Sequence, residues 1–200
     1  MKLAIGSLVA ALCVLATVGY TAADKASMQA DVSLLVPADG GPVAEAAIAA
    51  TVREISTWLV ETFGLPPTDD VPQVKFATSA WLTAMRYRRL LPVALQDAAA
   101  DELAAPGSVS DVVAIYDDAT GTVYLGDTWR GDSPADMSVL VHEMVHHLQN
   151  RAGSRFSCSE EREMLAYAAQ EGWLALFGTS LEREFGIDRL TLLLRTKCLG

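Results

Sequence analysis

The chain alternates between stretches whose apolar residues recur every three or four positions and short breaks rich in glycine, proline and aspartate. Across residues 43–63, Ile48, Val52, Ile55 and Leu59 fall at helical spacing and Gly64 supplies the stop, so a helix is expected there. A short strand at 73–78 and a helix at 79–91 follow. Two β-prone runs, 112–116 and 122–128, flank the turn Asp118-Ala119-Thr120-Gly121 and predict a hairpin. Breaks at 37–42, 64–72, 105–110 and 130–134 are turn or loop signals, and none has the length or composition of a linker between domains.

Beyond the hairpin the pattern becomes helical. Ser133 caps, Pro134 takes the first helical position and Asp136 stands where a capping box needs an acid, so a helix is expected from there to about Ala152, with Gly153 as its end. A second helix is expected over 158–177, stopped by Gly178, and a third over 181–198, interrupted at Gly186. The expected class is α+β: one mainly helical domain, residues 24–200, with a small antiparallel sheet or hairpin ahead of the Ser133 helix. The RGD tripeptide at 130–132 reads as the loop before that helix.

Residues 1–23 follow a different pattern. Lys2, an apolar run over 3–18 and Tyr20-Thr21-Ala22-Ala23 have the order of an export signal, with the mature chain starting near Asp24 in the periplasm or outside the cell. An uncleaved signal anchor is the rival reading and the only route to a membrane. Leu12 before Cys13 stands where a lipidation signal needs a small residue.

Charge narrows the partners. With 15 Lys and Arg against 25 Asp and Glu, the net charge is −10, which argues against a nucleic-acid partner. The basic knot Arg86-Tyr87-Arg88-Arg89 reads as a solvated helix face. Cys158 and Cys198 remain after signal removal and are expected to form a disulfide in an oxidising compartment. Neither has a second cysteine at metal-ligand spacing.

The candidate chemistry sits in VLVHEMVHHLQ, residues 139–149, which holds all 3 histidines of the chain. Four residues turn an α-helix through about 400°, so His142 and His146 leave one side a turn apart and can share a metal ion. Glu143 stands beside them, where a base acting on water is wanted. Met137, Leu140, Val141, Met144 and Leu148 cover the opposite side, while Ala135 and Ser138 leave room next to the histidines. His147 points about 140° from His142 and takes no ligand role.

This stretch resembles the zincin metallopeptidases, whose H-E-x-x-H is framed by uncharged residues as Val139, Leu140, Val141, Met144, Val145 and Leu148 frame it here. The H-E-x-V-H-H-L-Q form is also similar to small exported bacterial proteins of unassigned function. The zincin resemblance implies Zn2+ bound by His142 and His146, with Glu143 as general base. Gln149 and Ala152 stand where metzincins need Gly and His, which excludes that branch. Gly178-Thr179-Ser180-Leu181-Glu182 is only partly similar to the aspzincin pattern, with Glu182 in place of Asp.

The gluzincin arrangement, a glutamate from a following helix, fits better. Glu160, Glu163, Tyr167, Gln170 and Leu174 share one stripe, while Arg162 is expected to point away. Glu163 is taken as third ligand, with Glu160, Glu171 and Glu182 as the other acids considered. Tyr167, and behind it Tyr124, are the candidates for stabilising an oxyanion, and Gln149 and Gln170 for orienting ligands. The strand at 123–128 is expected to be a sheet edge that pairs with an extended substrate. The resulting expectation is a zinc hydrolase acting on a peptide or protein. A non-catalytic metal-binding or interaction protein on the same scaffold, and hydrolysis of a cell-wall amide, are the alternatives.

Overall fold

The computed structural model describes residues 42–90 and 112–198, with side chains for 46–86 and 112–198. The expected export signal, the break at 105–110 and the side chains of Tyr87, Arg88 and Arg89 lie outside the described residues. Within them the order is α1 (Pro42–Phe63), β1 (Gln73–Ala77), α2 (Ser79–Leu90), β2 (Ala114–Asp117), β3 (Thr122–Gly126), α3 (Pro134–Arg151), α4 (Ser159–Leu176), α5 (Leu181–Phe185) and α6 (Arg189–Thr196). The class is α+β, and glycine ends two of the helices: Gly64 follows α1 at φ +67, and Gly186 splits α5 from α6 at φ +64. Among the described residues no helix is long and apolar enough to cross a membrane.

The hairpin forms as its turn chemistry dictates. Asp117 accepts the Ala119 amide at 3.3 Å and the Thr120 hydroxyl at 2.7 Å, and the Gly121 amide closes the turn on the Asp117 carbonyl at 2.8 Å. The sheet around it differs from expectation. β1 joins β3 in parallel, from Gln73 opposite Thr122 to Ala77 opposite Gly126, while β2 pairs antiparallel, so the order is β1-β3-β2 and the sheet is mixed.

That order overturns the edge-strand expectation for 123–128. β3 is the interior strand, and both rows of its main-chain groups are taken by neighbours. Alternation decides the faces. Val123 and Leu125 of β3, with their partners Tyr116 and Ala114 of β2, enter the core. Tyr124 points to the opposite face, where its ring lies 4.6 Å from that of Trp81 in α2.

α3 is the central helix. Val139, Leu140, Val141, Met144, Val145 and Leu148 are all buried, against Ile55 and Leu59 of α1, the inner sheet face, and Ala166, Ala169 and Trp173 of α4. Each such aliphatic side chain contributes about 1.5–3 kcal/mol on burial. At its start, Ser133 Oγ accepts the Asp136 amide at 3.0 Å. The Asp136 carboxylate does not return to Ser133. It accepts the amides of Arg130 (3.1 Å) and Gly131 (3.0 Å), so the capping box is only half made and the RGD loop is tied to the helix. Gly131, at φ +69, has no room for a side chain, since a Cβ there would lie 2.4 Å from the Trp129 ring.

α4 follows directly on Cys158, which is disulfide-bonded to Cys198, 40 residues on, as expected from the cysteine count. The bridge staples the segment after α6 onto the start of α4. Tyr167 and Leu174 of α4 form a small second cluster with Leu181, and Leu192 of α6 packs on it.

Candidate metal centre

The site lies where α3 and α4 face each other. His142 and His146 project from α3 one turn apart, with ring centroids 5.0 Å apart. Glu163 comes from the first half of α4. Its Oε2 is 3.1 Å from His142 Nε2 and its Oε1 is 3.3 Å from His146 Nε2. One ligand atom from each of the three lies within 4.8 Å of the others, which is the only such grouping of His, Cys, Asp and Glu among the described residues.

The imidazoles are aimed by amides. His142 Nδ1 is 3.1 Å from Gln170 Oε1, Gln170 Nε2 donates to Ser138 Oγ at 3.2 Å, and Ser138 donates onward to the Ala135 carbonyl at 2.7 Å. A carbonyl at the end of this relay fixes the direction of every bond in it. Ser138 must donate to Ala135, Gln170 must donate to Ser138, and its remaining oxygen must face His142. The proton of neutral His142 therefore sits on Nδ1, and the Nε2 lone pair faces Glu163. Gln149 repeats the device: its Nε2 donates to the Arg162 carbonyl at 3.1 Å, and its Oε1 lies 3.1 Å from His146 Nδ1. Each glutamine thus contacts the Nδ1 atom of one of the two imidazoles it was expected to orient.

A lone pair and a carboxylate oxygen 3.1 Å apart repel unless positive charge lies with them. The donor set fits a divalent cation. Tetrahedral zinc with bonds of about 2.0–2.1 Å sets its ligand atoms roughly 3.3 Å apart, close to the observed spacing. Two imidazoles and one carboxylate also leave a fourth position open. Solvent can approach, because the Glu163 side chain is 31% exposed and that of His142 12%.

The electrostatics agree. Burial pushes the Glu163 carboxyl up, but the imidazoles of His142 and His146 set against it outweigh that and hold the group well below the usual carboxylate range. Glu143 goes the other way. Its burial raises its pKa, His142 opposes that, nearby Glu163 adds to it, and the Tyr116 backbone and Arg162 lower it again, for a net rise. Glu143 is not in the ligand group but stands beside it, as the helical geometry requires.

The remaining expected residues separate cleanly. Glu160 is bonded to the Ser159 hydroxyl at 3.1 Å, and Glu171 accepts the Leu181 amide at 2.7 Å, where it serves α5. Glu182 is exposed in the first turn of α5. Tyr167 packs edge-on against His142, with ring centroids 4.7 Å apart, and its hydroxyl accepts from Arg195 Nη1 at 2.8 Å. Tyr124, on the far face of the sheet, is removed from the site. His147 is a fully buried structural residue, bonded to the Tyr116 hydroxyl (3.2 Å) and the Asp70 carbonyl (2.9 Å). Burial lowers its pKa, so its neutral form pins the loop after α1 to the core.

Arg162 does not point away. Its Nη1 and Nη2 both reach Asp118 at 2.8 Å, and its Nε lies 3.0 Å from His146 Nδ1. A wheel projection gives only the direction of Cβ. A long side chain can run back along the helix toward its N-terminus, so this contact had no signal in the spacing. Asp118, placed in the sequence only as a turn residue, was missed for the same reason.

Residues 44–199 match the model of a family described as a domain of unknown function (DUF6647), and the chain belongs to that family. No curated protein and no solved structure matches the chain.

Proposed function

We propose that this member of the DUF6647 family is an exported zinc-dependent hydrolase of gluzincin type that cleaves peptide bonds. The observation that carries the reading is the approach of His142 Nε2, its lone pair turned outward by Gln170, to within 3.1 Å of Glu163. His146 lies with them in one group that could hold a metal ion. The zincin-like frame of residues 139–148 supports the same reading, and the disulfide is of the kind that persists in oxidising compartments.

When bound, zinc would supply a Lewis acid that makes water acidic and polarises a carbonyl. The protein's own groups do the rest. Glu143, whose pKa burial raises, takes a proton on its carboxylate and returns it to the departing amine. Gln149 and Gln170 hold the imidazoles in place. Tyr167 keeps its hydroxyl proton while accepting from Arg195, so it can donate to a developing oxyanion on the His142 side.

Replacing Glu143 by Gln tests this. Zinc-loaded protein should cleave members of a mixed peptide library, and Glu143→Gln should retain the zinc while losing about 10²–10⁴-fold in turnover. Cleavage unchanged in the variant would contradict the reading. Full zinc binding with no turnover of peptide or cell-wall amide in the native chain would favour the metal-binding alternative.

A further inference from the structure

Two groups compete for one nitrogen in this site. Gln149 Oε1 lies 3.1 Å from His146 Nδ1, and Arg162 Nε lies 3.0 Å from the same atom. The amide oxygen can only accept, and the guanidinium can only donate. A neutral imidazole satisfies one of them at a time. With its proton on Nδ1, His146 donates to Gln149 and leaves Arg162 Nε–H facing another N–H. With its proton on Nε2, it accepts from Arg162 and donates to Glu163 Oε1, 3.3 Å away.

Neither competitor can readily step aside. Turning the Gln149 amide over would set its oxygen against the Arg162 carbonyl that its Nε2 now bonds. Arg162 is held by both ends of its fork on Asp118, at 2.8 Å each. His142 has no such rival, because only Gln170 addresses its Nδ1 among the described hydrogen bonds. The two ligands on one helix are therefore unequal.

We propose that Arg162 is a positioning residue that gates metal loading at His146. This rests on the metal-centre reading above. A neutral imidazole binds metal through Nε2 only when its proton is on Nδ1. In the metal-free protein Arg162 favours the opposite tautomer. Loading then requires His146 to release the Nε2 proton to solvent, take one at Nδ1 from solvent, and transfer its hydrogen bond from Arg162 to Gln149. A hydrogen bond to a charged donor shifts such an equilibrium by about ten- to a hundredfold. Arg162 thus holds the centre ready but weakens its grip, and the Asp118 turn of the hairpin sets how firmly.

The test uses Arg162→Lys and Arg162→Met in the full chain. Lysine can keep the ion pair to Asp118 but cannot also present a donor at the Nε position; methionine keeps only the stem. Imidazole 15N NMR of the metal-free protein reads the His146 tautomer directly, whether or not zinc binds. The native chain should show the proton on Nε2, and both variants should move it to Nδ1. Zinc affinity, measured by competition with a chromophoric chelator, should tighten roughly tenfold in Arg162→Lys. An unchanged tautomer in the variants, or weaker zinc binding by Arg162→Lys, would overturn the gate and leave Arg162 a simple clamp. A native chain that binds no zinc, with the tautomer still shifting in the variants, would sink the metal reading and with it the gate, leaving only the hydrogen-bond competition standing.

Discussion

Gln170 on α4 sets the tautomer of His142 on α3: its Oε1 lies 3.1 Å from His142 Nδ1, and its own orientation is fixed by Ser138. A ligand on one helix is thereby made ready by a neighbour on the other. Gln170→Ala should leave the fold intact and weaken zinc binding by about 10–100-fold. Equilibrium competition with a chelator checks this, and Gln170→Glu, which keeps an acceptor at Nδ1, should recover most of the loss.

The identity of the third ligand separates sharply by mutation. Glu163→Gln should lose stoichiometric zinc, whereas Glu160→Gln and Glu182→Gln should retain it, because only Glu163 reaches both imidazoles. Metal analysis after gel filtration of the three variants gives the answer.

His147 should behave as a core residue despite standing next to a ligand. His147→Ala removes one hydrogen bond each from the Tyr116 hydroxyl, which Asn150 still reaches, and the Asp70 carbonyl, and opens a cavity, so a loss of about 2–4 kcal/mol is expected. Urea denaturation reads the loss. Zinc stoichiometry of the folded fraction should not change.

The Cys158–Cys198 bridge closes a loop of 40 residues. By the chain-entropy model its removal should cost about 4 kcal/mol. Replacing both cysteines by Ala and comparing denaturation midpoints measures it. Because the bridge lies outside the ligand set, zinc should still bind at one per folded chain.

Much of this was readable in the sequence, for identifiable reasons. The period of the apolar residues placed α1, α3 and α4, and the spacing of His142 and His146 needed only the helix that carries them. Glu163 followed from one further step, the stripe it shares with Tyr167 and Gln170. What failed was non-local. β1 and β3 are far apart in sequence, so their parallel pairing, which makes β3 interior, leaves no mark in either strand. The reach of Arg162 to Asp118 and His146 depends on how α4 lies against the hairpin, and Tyr124 was lost to the site by the face on which it emerges. Tyr124→Pro, aimed at an exposed edge, should instead break an interior strand and prevent folding, as circular dichroism would show.

The central claim is that His142, His146 and Glu163 together hold one zinc ion. Anomalous diffraction at the zinc edge from zinc-loaded crystals tests it most directly. A single peak bonded to the Nε2 atoms of both histidines and to a Glu163 oxygen is the predicted result. A peak elsewhere, or none between these three side chains at saturating zinc, would contradict it.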